Sequence, residues 1–373
     1  MIKTGKSEGE MTGRIYNFNA GPGALPLEVL EQAREELLNF GSSGMSVMEM
    51  SHRSAAFEAV LANAESGMRR HLGIPEEYAV LFLQGGASLQ FAMIPMNLAL
   101  PGKPVDMIHT GIWTKKAIEE IRRTAELRMA ASSEPQKYRR LPKPEEISLS
   151  PEASYVHLCS NNTIAGTQWT AFPDTGAVPL VADMSSDILS RKIDVSRFGL
   201  IFAGAQKNIG PSGVTVVILR RELAERAKDT LPTMLQFRTH MKENSLYNTP
   251  PTFGIYMISL VMDWLERQGG LPAIEKRNEE KARLLYEAID ADGFFYCPVE
   301  KQDRSKMNVV YRVKGDREEL EKKFLKEAEA QGLSGLKGHR SVGGLRASIY
   351  NAVTLEAVQA LAAFMKDFAK KNG

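Results

Sequence analysis

The chain predicts an α/β fold in two parts: a large half on a mainly parallel, doubly wound sheet, then a smaller α+β C-terminal domain. Three observations carry this. Short apolar runs of four to six residues, the length of buried strands, recur between longer amphipathic stretches with helical period. Small and polar residues gather just beyond the C-terminal ends of several runs, where ligands bind in open parallel sheets. From Leu271 the pattern changes to long charged helices and fewer strands. The division expected is 1–14 as a disordered extension, 15–270 as the large domain with its first segment near the small one, and 271–373 as the small domain.

In order, Asn17 to Pro26 is a loop punctuated by Gly and Pro, and Leu27 to Phe40 is an amphipathic helix. A polar, methionine-dotted loop runs from Gly41 to Arg53, and Ser54 suits the N-cap of a helix reaching His71. Tyr78 to Leu83 is a strand, and Gln84-Gly85-Gly86-Ala87-Ser88 turns it into an apolar helix ending near Leu100. Such a helix start is a ready anion site, since its free N–H groups and dipole favour negative charge; a plain tight turn is the other reading. It matches neither the triphosphate loop nor the dinucleotide fingerprint.

Val105 to His109 is the next strand, and Gly111 to Thr114 opens a helix to Thr124. Trp113 at that junction is either packing or a flat surface for a planar ligand. Strands follow at 127–131, 155–160 and 178–182, with Tyr138 to Pro151 as a surface connection. Two of these strands spill polar residues at their ends: Asn161 to Thr163, and Asp183 to Ser186. Asp183 either caps the next segment or holds a protonated ring nitrogen. Leu200 to Ala203 then delivers Gln206-Lys207-Asn208 in a small-residue turn before the strand Val214 to Leu219. A lysine between two buried strands either reaches water or acts as an amine whose pKa burial lowers, as a Schiff base with a carbonyl cofactor requires.

Next come a helix over 221–228, an unpatterned loop over 231–248 and an apolar helix over 252–266. The small domain reads as helix 272–291, strands 294–299 and 307–313, helix 317–331, a strand-like run through Arg346 and a closing amphipathic helix.

Composition bounds the function. The 373 residues carry 47 basic and 45 acidic side chains, a net charge of +2, which gives no global attraction to nucleic acid. With only Cys159 and Cys297, both in apolar stretches, a disulfide framework is excluded. The polar start lacks the apolar core of a signal peptide, and no apolar run is long enough to span a membrane. A cytoplasmic protein is expected.

Lys207 lies at one strand end and Asp183 at another, with a glycine turn and Trp113 at neighbouring junctions. These are the parts of a pyridoxal 5'-phosphate site: an amine for the aldehyde, an acid for the pyridine nitrogen, a helix N-terminus for the phosphate and an aromatic face for the ring.

Six motifs, in this order, resemble the phosphoserine aminotransferases, class V enzymes of the type I pyridoxal-phosphate (aspartate-aminotransferase-like) fold. They are Asn17-Phe18-Asn19-Ala20-Gly21-Pro22, Ser51-His52-Arg53, Gln84 to Ser88, Ala205 to Pro211, Tyr247 to Pro251, and His339-Arg340 through Tyr350-Asn351-Ala352. The resemblance covers nearly everything after Arg14. It implies a seven-stranded, mainly parallel sheet and a homodimer with shared active sites. It implies transamination of 3-phosphohydroxypyruvate with glutamate to phosphoserine and 2-oxoglutarate, in serine biosynthesis. Some bacterial relatives also serve pyridoxine biosynthesis.

By the same resemblance, Lys207 is the Schiff-base lysine and proton carrier, Asp183 pairs with the ring nitrogen, Trp113 stacks on the ring and Thr163 meets its hydroxyl. Ala87, Ser88, Ser185 and Gln206 hold the cofactor phosphate, joined by Asn248 and Thr249 of the neighbouring subunit. Arg340 takes the substrate carboxylate, while His52, Arg53 and His339 take its distal phosphate or carboxylate. Arg346 is expected in a structural ion pair. The chain departs from some members in carrying Ser88 where they place an arginine for substrate phosphate. The competing readings are a related alanine– or serine–glyoxylate transaminase, or a non-catalytic phosphate-binding protein that keeps the fold.

Overall fold

The computed structural model describes residues 13–291 and 293–373. The expected N-terminal extension lies outside them apart from Gly13 and Arg14, both exposed. A seven-stranded sheet runs in the order Tyr78–Leu83, Thr215–Arg220, Leu200–Gly204, Leu180–Asp183, Val156–Cys159, Val105–His109, Leu127–Ser132. All are parallel except Thr215–Arg220, which is antiparallel to both neighbours. The six parallel strands therefore end on one edge, and the turns singled out in the sequence all follow those ends.

Both faces of the sheet are covered, which is why its strands read as unbroken apolar runs. In Tyr78–Leu83, Ala79, Leu81 and Leu83 join one core with the helices Gly86–Leu98 and Ile112–Thr124. Tyr78, Val80 and Phe82 join the opposite core with Ala55–Leu72 and Thr252–Arg267. The edge strand Leu127–Ser132 is the exception: Met129 is exposed, and Arg128 pairs with the buried Asp106 at 2.9 Å.

Helix Ala55–Leu72 begins as expected, with Ser54 Oγ accepting the Phe57 amide at 3.3 Å. It crosses Thr252–Arg267 closely, because at Gly67 a Cβ would sit 2.5 Å from Met262 Cβ. A third core lies beneath an antiparallel sheet of Phe295–Tyr296, Asn308–Val313 and Leu345–Ser348, closed by the helices Gly270–Asp290, Glu318–Ala330 and Leu355–Asn372. Tyr16–Asn17 pairs in parallel with Leu333–Ser334, so Phe18 is buried in this C-terminal core.

Several boundaries differ from expectation. The strand anticipated over 294–299 shortens to Phe295–Tyr296, since Pro298 has no N–H for the ladder. The 231–248 loop contains a helix, Phe237–Lys242, whose first amide donates to Asn97 Oδ1 at 3.0 Å. That cap comes from a helix 140 residues away, so no local pattern announces it.

Candidate active site

The C-terminal edge of the sheet opens into a cavity of about 410 Å³ between the sheet and the C-terminal sheet. Lys207 enters it from the turn after Leu200–Gly204, where the side chain stays 8 % exposed. Its Nζ donates to Thr163 Oγ1 at 2.8 Å and lies 5.6 Å from the centre of the Trp113 ring. The lysine therefore turns inward, away from bulk water.

Asp183 ends its strand at the same cavity. Its Oδ1 accepts from the Ser185 amide at 2.9 Å and the Ser185 hydroxyl at 2.6 Å. Oδ2 has no hydrogen-bond partner among the described residues, so it is free to receive a donor from within the cavity. Burial raises the pKa of this carboxyl, and the Ser185 donors and the Lys207 charge oppose that rise. Ser185 is thus committed to orienting the acid: its hydroxyl proton goes to Asp183 while its oxygen accepts the Gly204 amide at 3.0 Å. Ser185, expected beside the cofactor phosphate, also lines the cavity.

Across the cavity, Gly86, Ala87 and Ser88 bring the start of helix Gly86–Leu98 to its wall. Gly85 and Gly86 have φ of 88° and 65°, the left-handed region that glycine adopts without penalty. Four residues into the next junction, Thr114 Oγ1 accepts the Thr110 and Gly111 amides at 3.1 Å, which fixes the helix turn that presents Trp113. Gln206 also lines the cavity.

Part of the lining is cationic. His339, Lys116 and Arg346 line the cavity. Burial lowers the pKa of His339, and the charges of Arg346, Arg340 and Lys116 lower it further. Arg346 does not form the expected ion pair. Its Nη1 donates to Thr163 O at 3.2 Å, its Nε is buried without a partner, and no carboxylate neutralises it among the described residues. Strand alternation explains this: Leu345 and Ala347 face the C-terminal core, so Arg346 points from the opposite face toward Lys207's side of the molecule. That period was legible in Leu345-Arg346-Ala347 and was the signal that could have found it. Arg340 is exposed and lies outside the cavity walls, although near enough to act on His339.

Besides Arg340, four expected residues are not gathered here. Arg53 and Thr249 are exposed, while His52 and Asn248 are half-buried. Asn248 donates to Gln84 Oε1 at 3.1 Å outside the cavity.

Residues 15–361 match the family model for class-V aminotransferases. The chain is 59% identical over 359 residues to the phosphoserine aminotransferase of Geobacillus kaustophilus, covering 96% of this chain and 99% of that one. The crystal structure of phosphoserine aminotransferase from Bacillus circulans subsp. alkalophilus superposes with a TM-score of 0.94 at 55% identity, over 96% of this chain and 99% of that one. A pyridoxal-phosphate-bound phosphoserine aminotransferase from Trichomonas vaginalis gives a TM-score of 0.91 at 42% identity, over 95% of this chain and all of that one. Near-complete coverage at this identity, on a cavity that joins Lys207, Asp183 and Trp113, means that the chain belongs to the phosphoserine aminotransferases of class V.

Proposed function

We propose that this cavity exchanges an amino group between O-phospho-L-serine and 2-oxoglutarate, reversibly, as a step of serine biosynthesis in the cytoplasm. One observation carries the reading. The buried amine of Lys207 and the free oxygen of Asp183 meet in one cavity that Arg346, His339 and Lys116 also line, none of them ion-paired with an acid among the described residues. Pyridoxal phosphate is the cofactor of the family, and its fit is supported by a lysine for its aldehyde, an acid for its ring nitrogen and a glycine-built helix start for its phosphate. When bound, the cofactor accepts the amino group and disperses the electron pair left on the substrate's α-carbon.

The chain's own residues do the rest. Lys207 Nζ, held by Thr163 Oγ1, takes the proton from Cα and returns it, as a positioned amine within reach does. Asp183 Oδ2 would take the ring N–H, and the two Ser185 bonds help keep that carboxylate ionised against the effect of burial. Trp113 would offer its flat face to the ring. Gly86, Ala87, Ser88, Ser185 and Gln206 would hold the phosphate.

The α-carboxylate falls to Arg346 rather than Arg340, because Arg346 is the guanidinium that lines the cavity, half-desolvated and without an acid partner. His339, with Arg340 and Lys116 around it, takes the distal phosphate or the γ-carboxylate of glutamate. A neighbouring cavity of about 410 Å³ shares Ile164, His339 and Arg346 with the first, which leaves room for a longer four-carbon phosphorylated substrate and a role in pyridoxine biosynthesis.

The enzyme acts as a homodimer, with His52, Arg53, Asn248 and Thr249 completing the partner's site. Supporting this, all four lie outside the cavity of their own chain, and the segments bearing them expose Met45, Met48 and Tyr247.

A half-reaction titration tests the reading. The cofactor-loaded protein is mixed separately with phosphoserine, glutamate, serine and alanine while the visible absorbance is followed. Conversion by phosphoserine and glutamate at low concentration, without conversion by serine or alanine, is the expected result. Equal reaction with serine or alanine would instead favour a glyoxylate-type transaminase.

A further inference from the structure

Helix Gly270–Asp290 buries a lysine completely: Lys281 is 0 % exposed and is not among the residues lining the cavity. A buried ammonium is costly unless every N–H finds an acceptor, and here three backbone carbonyls receive it. Nζ donates to Ile349 O at 3.0 Å, Tyr350 O at 2.8 Å and Val353 O at 3.0 Å. An apolar side chain would fill the same space without that cost, so what the three donated bonds add is a fixed position for the 349–353 turn.

That turn reaches both sequence neighbours of Lys207. On one side, the Tyr350 hydroxyl donates to Ala20 O at 2.7 Å, and its ring packs so tightly on Gly23 that a Cβ there would lie 2.8 Å away. Gly23 in turn donates its amide to Gln206 O at 2.8 Å. On the other side, the Asn351 amide donates to Asn208 Oδ1 at 3.0 Å. Asn278, one helical turn before Lys281, donates to Asn351 Oδ1 at 2.8 Å and to Ser190 O at 3.0 Å. Arg346 lies in the strand that leads directly into the turn.

We propose that Lys281, assisted by Asn278, is a positioning residue for Lys207: through the 349–353 turn it tethers the Gln206 carbonyl and the Asn208 side chain, on either side of the reactive amine, and sets them against Arg346. The proposal rests on Lys207 being that amine, and its tests separate the two. Helix Gly270–Asp290 thereby couples the substrate-carboxylate strand to the lysine turn, an arrangement that neither element creates alone.

Amide hydrogen exchange on the unloaded protein reads the tether directly. In Lys281→Met, exchange at Gly23 and Asn351 is expected to rise at least tenfold while Phe202 and Val216 in the central sheet stay protected. The loaded variant is expected to lose about 10- to 100-fold in kcat, to shift the pH at which its visible absorbance titrates, and to keep its KM for glutamate within about threefold. Two milder variants cover the case in which Lys281→Met does not fold. Tyr350→Phe should loosen Gly23 alone, and Asn278→Ala should loosen Asn351 alone. A thermally destabilised Lys281→Met with wild-type exchange at Gly23 and Asn351 and wild-type kcat overturns the proposal, as does wild-type exchange in both milder variants. Lys207→Ala separately tests the site: turnover without that amine would sink the reading of Lys207 but leave the exchange result standing.

Discussion

At the scale of single residues, function here depends on what burial does to charge. The role proposed for Asp183 needs it ionised where burial favours its neutral form, and the Ser185 bonds and the Lys207 charge oppose that effect. Asp183→Asn keeps the shape and removes the charge, so kcat should fall roughly 10²–10³-fold, the usual cost of losing a preorganised electrostatic partner. Steady-state kinetics with phosphoserine and 2-oxoglutarate measure it. Arg346→Lys tests the carboxylate assignment, since a point charge cannot make a bidentate pair. It should raise KM for both amino-acid substrates about tenfold or more, whereas Arg340→Lys should affect phosphoserine more than glutamate. His157 offers a test of stability. Its ring is buried in the strand Val156–Cys159 with neither nitrogen partnered among the described residues, and burial pulls its pKa from 6.5 down to about 3. A depressed pKa means that the folded state binds fewer protons than the unfolded chain between those values. Stability is therefore complete above pH 6.5 and falls as the pH drops toward 3. At pH 5 the cost is about 2 kcal/mol. His157→Leu should recover most of it at pH 5 relative to pH 7.5, as read by chemical denaturation at the two pH values.

At the scale of elements, the site is made of turns after parallel strands, and each turn was visible as a break in an apolar run. Gly85 shows how little latitude such a turn has: a Cβ there would stand 2.6 Å from Leu89 Cβ at a φ of 88°. Gly85→Ala should displace the helix start, lowering cofactor affinity at least tenfold with smaller effects on folding, as measured by equilibrium dialysis of the cofactor. Strand and turn identities were legible because burial on both faces writes a continuous apolar run and small residues end it. Arg346 was placed in a strand-like run yet misjudged as an ion-paired residue. Alternation tells which face a side chain takes, but not what lies across from that face. Helix Phe237–Lys242 was missed for a related reason, since its cap and packing come from Asn97 and the sheet rather than from neighbouring residues.

At the scale of the molecule, the N-terminal segment ties the two halves together: Phe18 is buried in the C-terminal core and Gly23 meets the lysine turn. The dimer is the largest prediction here. Met48 is 61% exposed in the loop that carries His52 and Arg53. A large exposed apolar side chain beside charged ligand candidates suits a subunit contact. Met48→Asp should weaken self-association in sedimentation experiments and lower kcat/KM for phosphoserine in parallel; a monomer with full activity would remove the partner's residues from the site.

By itself, the sequence determined the fold class, the lysine, the acid, the glycine turn and the aromatic face. These follow from local rules: apolar runs of strand length, breaks made by small residues, and reactive side chains placed at the breaks. Only the tertiary structure decided which arginine lines the cavity, that Ser185 bonds Asp183, and that a lysine on a charged helix bonds the 349–353 turn. Each of those depends on contacts between residues far apart in the chain. The direction of a side chain across a cavity is set by what packs behind it, and that is written in no single stretch of sequence.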